Sequence, residues 1–288
     1  MRNAEIQISD RHTERLGGYR KLAYTEWGEA DNPRAAICVH GMTRNSHDFD
    51  RLAEALAESH RVISVDLAGR GASDWLREWQ GYQPATYLSD LCTLLTSLEL
   101  VEVDWIGTSL GGSLGMLMAG DEDAVTRGMI RRLVLNDIGP LIPASSMEPI
   151  ADRVGRAPDF AELEEAEAYQ RQVCAEWGEL SDETWMHLTL HSLRPMDGGG
   201  FAYHHDPAIG DSLRAKGPMR DVELWPWWRR IDCPVLVLRG AESNLLRAET
   251  AAEMNKDGAE VIEYPGIGHT PSIMVEDQVQ AVTVWLNS

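Results

Sequence analysis

The five residues Gly107-Thr108-Ser109-Leu110-Gly111 constrain this chain more than any other segment. They follow an apolar run ending at Ile106 and precede a helical run from Leu110 to Ala119, so the backbone must turn sharply from strand to helix. A turn that tight strains its central residue, and flanking glycines remove the clashes that side chains would bring. The hydroxyl of Ser109 then projects above a sheet at the N-terminus of the next helix. The N–H of Leu110 points to where negative charge develops on an attacked carbonyl oxygen. G-x-S-x-G alone is a modest signal; its position between a strand and a helix is what makes it strong.

The rest of the chain supports that context. Ala35 to Val39 and Arg61 to Val65 read as buried strands, with Phe49, Leu52, Ala53, Leu56 and Ala57 at helical spacing between them. Further strands are expected over Val101 to Ile106, Arg132 to Leu135, Pro234 to Leu238 and Ala259 to Tyr264. Helices are expected over Pro84 to Leu98, Ala248 to Asn255 and Asp277 to Leu286. Nearly continuous apolar strands suit a parallel sheet covered on both faces, and the alternation of strand and helix argues for an open α/β sheet. The rhythm stops from residue 140 to residue 233, where no strand signal appears. A Glu-rich helical segment (Phe160 to Trp177), a second helical one (Ser181 to Leu193) and the cluster Trp225-Pro226-Trp227-Trp228 occupy it. A structureless loop of that length is uncommon in a folded domain. The chain therefore divides into a core (1–139), a helical insertion (140–233) and the remainder of the core (234–288).

Charge narrows the partners. With 26 Lys+Arg against 46 Asp+Glu the net charge is −20, a sign that repels phosphate backbones and anionic lipid surfaces. Neither nucleic acid nor a membrane is expected as a partner, and a small molecule is. Cys38, Cys92, Cys174 and Cys233 lie far apart with no C-x-x-C pair, which gives neither a zinc nor a redox signature. The N-terminus lacks a basic segment followed by an apolar one, and no apolar run approaches the ~18 residues of a membrane span. A cytoplasmic protein is expected.

A serine hydroxyl is a weak nucleophile until a base takes its proton. Gly266-Ile267-Gly268-His269-Thr270-Pro271 supplies one, on a glycine-containing loop after the last strand. A second donor for an oxyanion is expected from the loop after Val39, where the N–H of Met42 is the candidate. His40 reads as a brace for that loop. Asp66-Leu67-Ala68-Gly69-Arg70-Gly71-Ala72-Ser73 lacks the glycine and lysine pattern of a phosphate loop and reads as a structural turn.

Together, the H-G loop at His40, the D-x-x-G-x-G-x-S turn at Asp66, the elbow at Ser109 and the G-H-x-P loop at His269 resemble the α/β-hydrolase superfamily. The resemblance covers nearly the whole chain. It implies a mostly parallel eight-stranded sheet flanked by helices, with a helical cap inserted after the sixth strand. It implies Ser109 as nucleophile, His269 as base, and Met42 and Leu110 as oxyanion-hole amides. Neither cofactor nor metal is implied. In capped esterases of this kind the acid commonly follows the seventh strand, but the corresponding segment here is Gly240-Ala241-Glu242-Ser243-Asn244, and Asn244 cannot stabilise an imidazolium as a carboxylate does. Asp137, after the sixth strand, is the favoured acid. Glu242, or a triad weakened at Asn244, remains open.

A serine at the elbow directs attack toward acyl groups, so the implied activity is hydrolysis of a small ester or lactone. A C–C hydrolase of β-diketones and a weakened, ligand-binding relative are the alternatives. Arg44 is a candidate for touching a substrate carboxylate or carbonyl, and Trp225 and Trp228 for lining the acyl pocket. His187 and His191 share one helix face at i and i+4 but lack the Glu of H-E-x-x-H, so zinc is not expected there. His204-His205-Asp206 reads as a docking or surface segment. The Glu-rich insertion should make a negatively charged lid, favouring neutral or weakly charged substrates.

Overall fold

Side chains along the central strands alternate between two apolar clusters. Ala35, Ile37 and Val39 join one apolar cluster, and Ala36 and Cys38 join another. The same division separates Leu133 and Leu135 from Val134, and Val235 and Val237 from Leu236 and Leu238. Successive side chains of a strand point to opposite faces, so runs that are apolar throughout need cover on both sides.

The computed structural model describes residues 1–9, 18–122, 128–215 and 217–288. The first part of the core comprises β1 (Arg2–Ser9), β2 (Tyr19–Trp27), β3 (Ala35–Val39), α1 (Asp50–Leu56) and β4 (Arg61–Val65). It continues through α2 (Pro84–Ser97), β5 (Val103–Thr108), α3 (Leu110–Ala119) and β6 (Ile130–Asn136). Between β6 and the next core strand lie β7 (Leu141–Ile142), α4 (Ala144–Arg153), α5 (Leu163–Val173), α6 (Asp182–Leu190), β8 (Leu193–Pro195) and β9 (Phe201–Tyr203). The segment ends with α7 (Ala208–Arg214), β10 (Val222–Glu223) and α8 (Trp225–Trp228). The core then resumes with β11 (Val235–Gly240), α9 (Ala248–Lys256), β12 (Glu260–Tyr264) and α10 (Glu276–Asn287).

One eight-stranded sheet carries the order β1-β2-β4-β3-β5-β6-β11-β12. The ladders are parallel from β4 to β12, and antiparallel where β2 meets β4 and β1 meets β2. From β3 the chain moves outward to β4, and from β5 it moves the other way to β6. The crevice beyond the carboxyl ends of β3 and β5 is thus where the connections diverge, the usual ligand position in an open α/β sheet. Register then aligns the chemistry. Thr108 pairs with Asn136 and Asn136 with Leu238, so Ser109 and Asp137 both stand one residue past the ladder on neighbouring strands.

Beyond the strands expected from the sequence, the sheet includes β1, an edge strand of alternating exposure, and β2, which is largely buried but carries Arg20, Lys21, Thr25 and Glu26 and so forms no continuous apolar run. The sequence also predicts no strand in the insertion. Two short hairpin-like pairings occur there, β7 with β10 and β8 with β9, each of two or three residues and too short to show a period. Among the described residues, no helix is long and apolar enough to cross a membrane.

Candidate active site

Ser109 sits at the N-cap of α3 with φ 50 and ψ −109, a left-handed conformation uncommon for a residue with a side chain. Its N–H donates to the Asn136 carbonyl at 3.0 Å, which ties the turn to β6. The flanking glycines are steric necessities. A Cβ on Gly107 would lie 2.4 Å from the backbone of Gly111 and Gly112, and one on Gly111 would lie 1.9 Å from the Val39 carbonyl oxygen. The turn can therefore pass between β3 and α3 only if both positions lack side chains.

A continuous set of hydrogen bonds leads away from Ser109. Its Oγ lies 3.1 Å from Nε2 of His269, and Nδ1 of that ring lies 2.7 Å from Oδ2 of Asp137. With Nδ1 donating to the carboxylate, Nε2 is left as the acceptor for the serine hydroxyl. Asp137 is fully buried, also in the left-handed region (φ 53). Its Oδ1 accepts from the Gly240 N–H at 3.0 Å, and its Oδ2 accepts from the Ser243 hydroxyl at 2.6 Å. A buried carboxylate needs such donors to stay ionised. Asn136 completes the frame, its Nδ2 donating to Thr108 Oγ1 at 3.1 Å and to the Pro271 carbonyl at 2.8 Å. Of the three acid arrangements open in the sequence, the structure brings Asp137 to His269. Asn244 and Glu242 are exposed on the neighbouring loop. The Asn244 carbonyl accepts from Ser146, and the Glu242 N–H donates to Ile267.

The loop after β3 lies against the elbow, since a Cβ on Gly41 would be 3.9 Å from that of Ser109. Met42 lines the same cavity as Ser109, and Leu110 opens α3, whose first-turn amides have no partner within the helix. The Met42 peptide is held from behind. Its carbonyl accepts from Nε of Arg70 at 2.7 Å, and the buried Arg70 also reaches the Ala68 carbonyl and the Tyr87 hydroxyl. His40 is buried, donates from Nδ1 to the Gly41 carbonyl at 2.6 Å and accepts the Leu67 N–H at 3.0 Å. Burial pushes its pKa down to about 3, so it is a neutral brace. Asp66 accepts backbone N–H groups of Ser46 and Ala72, as a structural turn would.

A cavity of about 200 Å³ opens on Ser109 and His269. Its other wall comes from the insertion, chiefly Met147, Ile150, Tyr169, Trp177 and Tyr203. Glu176 ties the insertion to the His269 loop, its carbonyl accepting from the Gly268 N–H at 2.8 Å. Arg44 does line the cavity, but Nε and Nη2 bind both oxygens of Asp48 (2.9 and 2.6 Å) and Nη1 donates to Ser192 Oγ at 3.0 Å. Against the desolvation of its buried guanidinium, Asp48 holds the Arg44 pKa above its ordinary value.

Trp225 and Trp228 are corrections. Neither lines the cavity; both pack into the main core, and Trp228 Nε1 donates to Asp257 at 2.8 Å. The reason is position. Helix α8 lies against the far end of α3, where a Cβ on Gly120 would meet the Trp227 carbonyl at 2.2 Å, about 15 Å of helix rise from Ser109.

His47, His187, His191 and His204 join the insertion to the core. His204 accepts the Gly71 N–H at 2.9 Å, and Asp206 accepts the Tyr82 hydroxyl at 2.5 Å. His191 stacks on His47 with ring centroids 3.7 Å apart, and His187 Nε2 lies 3.3 Å from Asp50. His47, Asp50 and His191 bring potential ligand atoms within 4.8 Å of one another, a grouping that crosses from core to insertion and was invisible in the i, i+4 spacing of His187 and His191.

A mostly parallel eight-stranded sheet carrying a serine, an aspartate and a histidine on the loops after β5, β6 and β12 defines a hydrolase-type architecture. Residues 36–283 match the model of the Alpha/beta hydrolase family, and the chain belongs to that family as one of its hydrolases. It is 39% identical over 271 residues to the 3-hydroxybutyrate-oligomer hydrolase of Cupriavidus necator, with 91% of each chain covered. It is 26% identical over 256 residues to the 2-(acetamidomethylene)succinate hydrolase of Mesorhizobium japonicum, covering 88% of this chain and 87% of that one. A solved Rickettsia typhi protein superposes with a TM-score of 0.91 at 31% identity, covering 100% of this chain and 99% of that one.

Proposed function

We propose that this chain is a serine esterase acting on short carboxylic esters, with oligoesters of small hydroxy acids as the substrate class. The observation that carries the reading is the hydrogen-bond path from Ser109 Oγ through His269 to the buried Asp137. The similarity to an enzyme named for 3-hydroxybutyrate oligomers supports the oligoester class. A cavity of about 200 Å³ fits a small ligand better than a long chain.

The chemistry follows from the geometry. Ser109 Oγ attacks the ester carbonyl as its proton passes to His269 Nε2, and Asp137 stabilises the resulting imidazolium. The amides of Met42 and Leu110 receive the oxyanion. His269 then gives its proton to the leaving alkoxide, which departs as the alcohol and leaves the acyl group on Ser109. Water attacks that acyl-enzyme with its proton taken by His269, and the acid product and free serine are released. Residues 140–233 act as a cap that supplies the acyl-selecting wall and excludes bulk water.

The test is turnover of p-nitrophenyl acetate and butyrate together with labelling by a fluorophosphonate. Ester cleavage with a single adduct on Ser109 is expected. No cleavage and no adduct would overturn the reading.

A further inference from the structure

We propose that Arg153 forms a carboxylate-binding subsite in the Ser109 cavity, so that the preferred esters carry a free carboxylate. This rests on the esterase reading and names the substrate's recognition group.

Two arginines line the cavity, Arg44 and Arg153. Arg44 is the one the sequence offers for this role, and the structure commits it elsewhere. Both its bidentate donors lie on Asp48, Ser192 takes a third bond, and the guanidinium lies 5.1 Å from the Trp177 ring centroid. An incoming carboxylate would have to displace Asp48 from a fork–fork pair, the strongest geometry available to an arginine.

Arg153 is the last residue of α4 and is exposed, and its guanidinium makes no hydrogen bond or ion pair to any described residue. Arg171, Arg214 and Arg230 of the insertion are paired, with Glu167 and Asp182, with Asp211, and with Glu122, while Arg156, Arg194, Arg220 and Arg229 lie away from the cavity. The helix aims Arg153 at the cavity. Met147, Ile150 and Arg153 recur every three residues on one face of α4, and all three line the wall. Its charge also acts on the Cys174 thiol, beside Arg44 and one residue past the cavity-lining Val173. With Arg44 and Asp48 cancelling, and burial pushing the His205 pKa down to about 3, Arg153 gives the wall its uncompensated positive charge. A chain of net charge −20 repels anions at long range, so a local cation beside an apolar face selects short, singly charged ones. The preference is for a molecule with an ester at one end and a carboxylate at the other.

Two matched acetyl esters test this, 3-acetoxybutyrate and its neutral amide 3-acetoxybutyramide. In the wild-type protein the anion should show a kcat/KM higher by about tenfold or more, as expected of a charge-assisted hydrogen bond. In Arg153→Met the two substrates should converge because the anion's KM rises while its kcat holds. Arg153→Lys should recover part of the preference, and added salt should shrink it in the wild type. Equal kcat/KM for the two esters in the wild type, or an undiminished preference in Arg153→Met, would overturn the subsite. Hydrolysis of neither ester would instead count against the esterase reading. Calorimetric binding of 3-acetoxybutyrate then decides the subsite: binding that is lost in Arg153→Met upholds it, and absent or unchanged binding overturns it.

Discussion

The two walls of the Ser109 cavity are held in different ways. On the sheet side, Ser109 and Asp137 are fixed by left-handed backbone and by hydrogen bonds to the adjoining strands. On the insertion side, Met147, Ile150, Tyr169 and Tyr203 are presented by helices and a short strand, and aromatic contacts such as Tyr169–Tyr203 (centroids 6.2 Å apart) set their places. The first wall fixes the reacting atoms. The second shapes a volume. Substitutions on the sheet side should therefore act on kcat, and those on the insertion side on KM.

The largest contrast is expected at the nucleophile. Ser109→Ala should lower kcat by about a millionfold and abolish fluorophosphonate labelling. Acid pH provides the next test, and here the two regions should behave alike. His40 in the core and His205 in the insertion both have pKa values lowered to about 3, first by burial. Each is a base whose folded pKa lies below its unfolded one, so the unfolded chain takes up protons that the folded chain refuses. Stability is then lost as pH falls from about 6.5 toward 3, by about 1.4 kcal/mol per pH unit for each ring. Urea unfolding at pH 7 and pH 5 should show the fall, and His205→Gln should remove its share of the slope. An equal slope in the variant would mean that His205 contributes none of it.

Smaller effects separate neighbours on one loop. Ser243→Ala deletes the hydroxyl that donates to Asp137 and should lower kcat about tenfold, while Asn244→Ala beside it should stay within about twofold. Steady-state kinetics on p-nitrophenyl butyrate would show this. A change smaller than that of Ser243→Ala, and in the other constant, is expected in the other wall. Trp177→Ala should raise KM about fivefold with kcat nearly held, because it removes apolar surface and the ring beside Arg44. A fall in kcat alone would erase the distinction between the walls.

The same distinction explains what the sequence discloses. A strand-end turn dictates its own residues, so the Gly107-to-Gly111 elbow, the Met42 loop and the His269 loop are all written locally. Central strands are legible because cover on two faces demands continuous apolarity, whereas β1 is an exposed edge and β2 interrupts its apolar residues with Arg20, Lys21, Thr25 and Glu26. The acid was left open because β6 and β11 are adjacent and both send a loop toward His269, so only the backbone decides which one arrives. The insertion wall has no local signature. A tryptophan cluster drew attention to Trp225 and Trp228, yet the aromatic residues at the cavity are Tyr169, Trp177 and Tyr203, brought together from helices and a strand far apart in the chain. Asn136, Ser243 and Arg70 were missed for a related reason: each acts by a hydrogen bond to a residue distant in sequence or on another loop.

The central claim is that the carboxylate serving His269 follows β6 and not β11. The most direct test is kcat on p-nitrophenyl butyrate for Asp137→Asn beside Asn244→Asp. Asp137→Asn should fall by about four orders of magnitude, as expected when the base loses its orienting carboxylate, and Asn244→Asp should stay within about twofold of wild type. Near-wild-type activity in Asp137→Asn, or a large gain in Asn244→Asp, would contradict the claim.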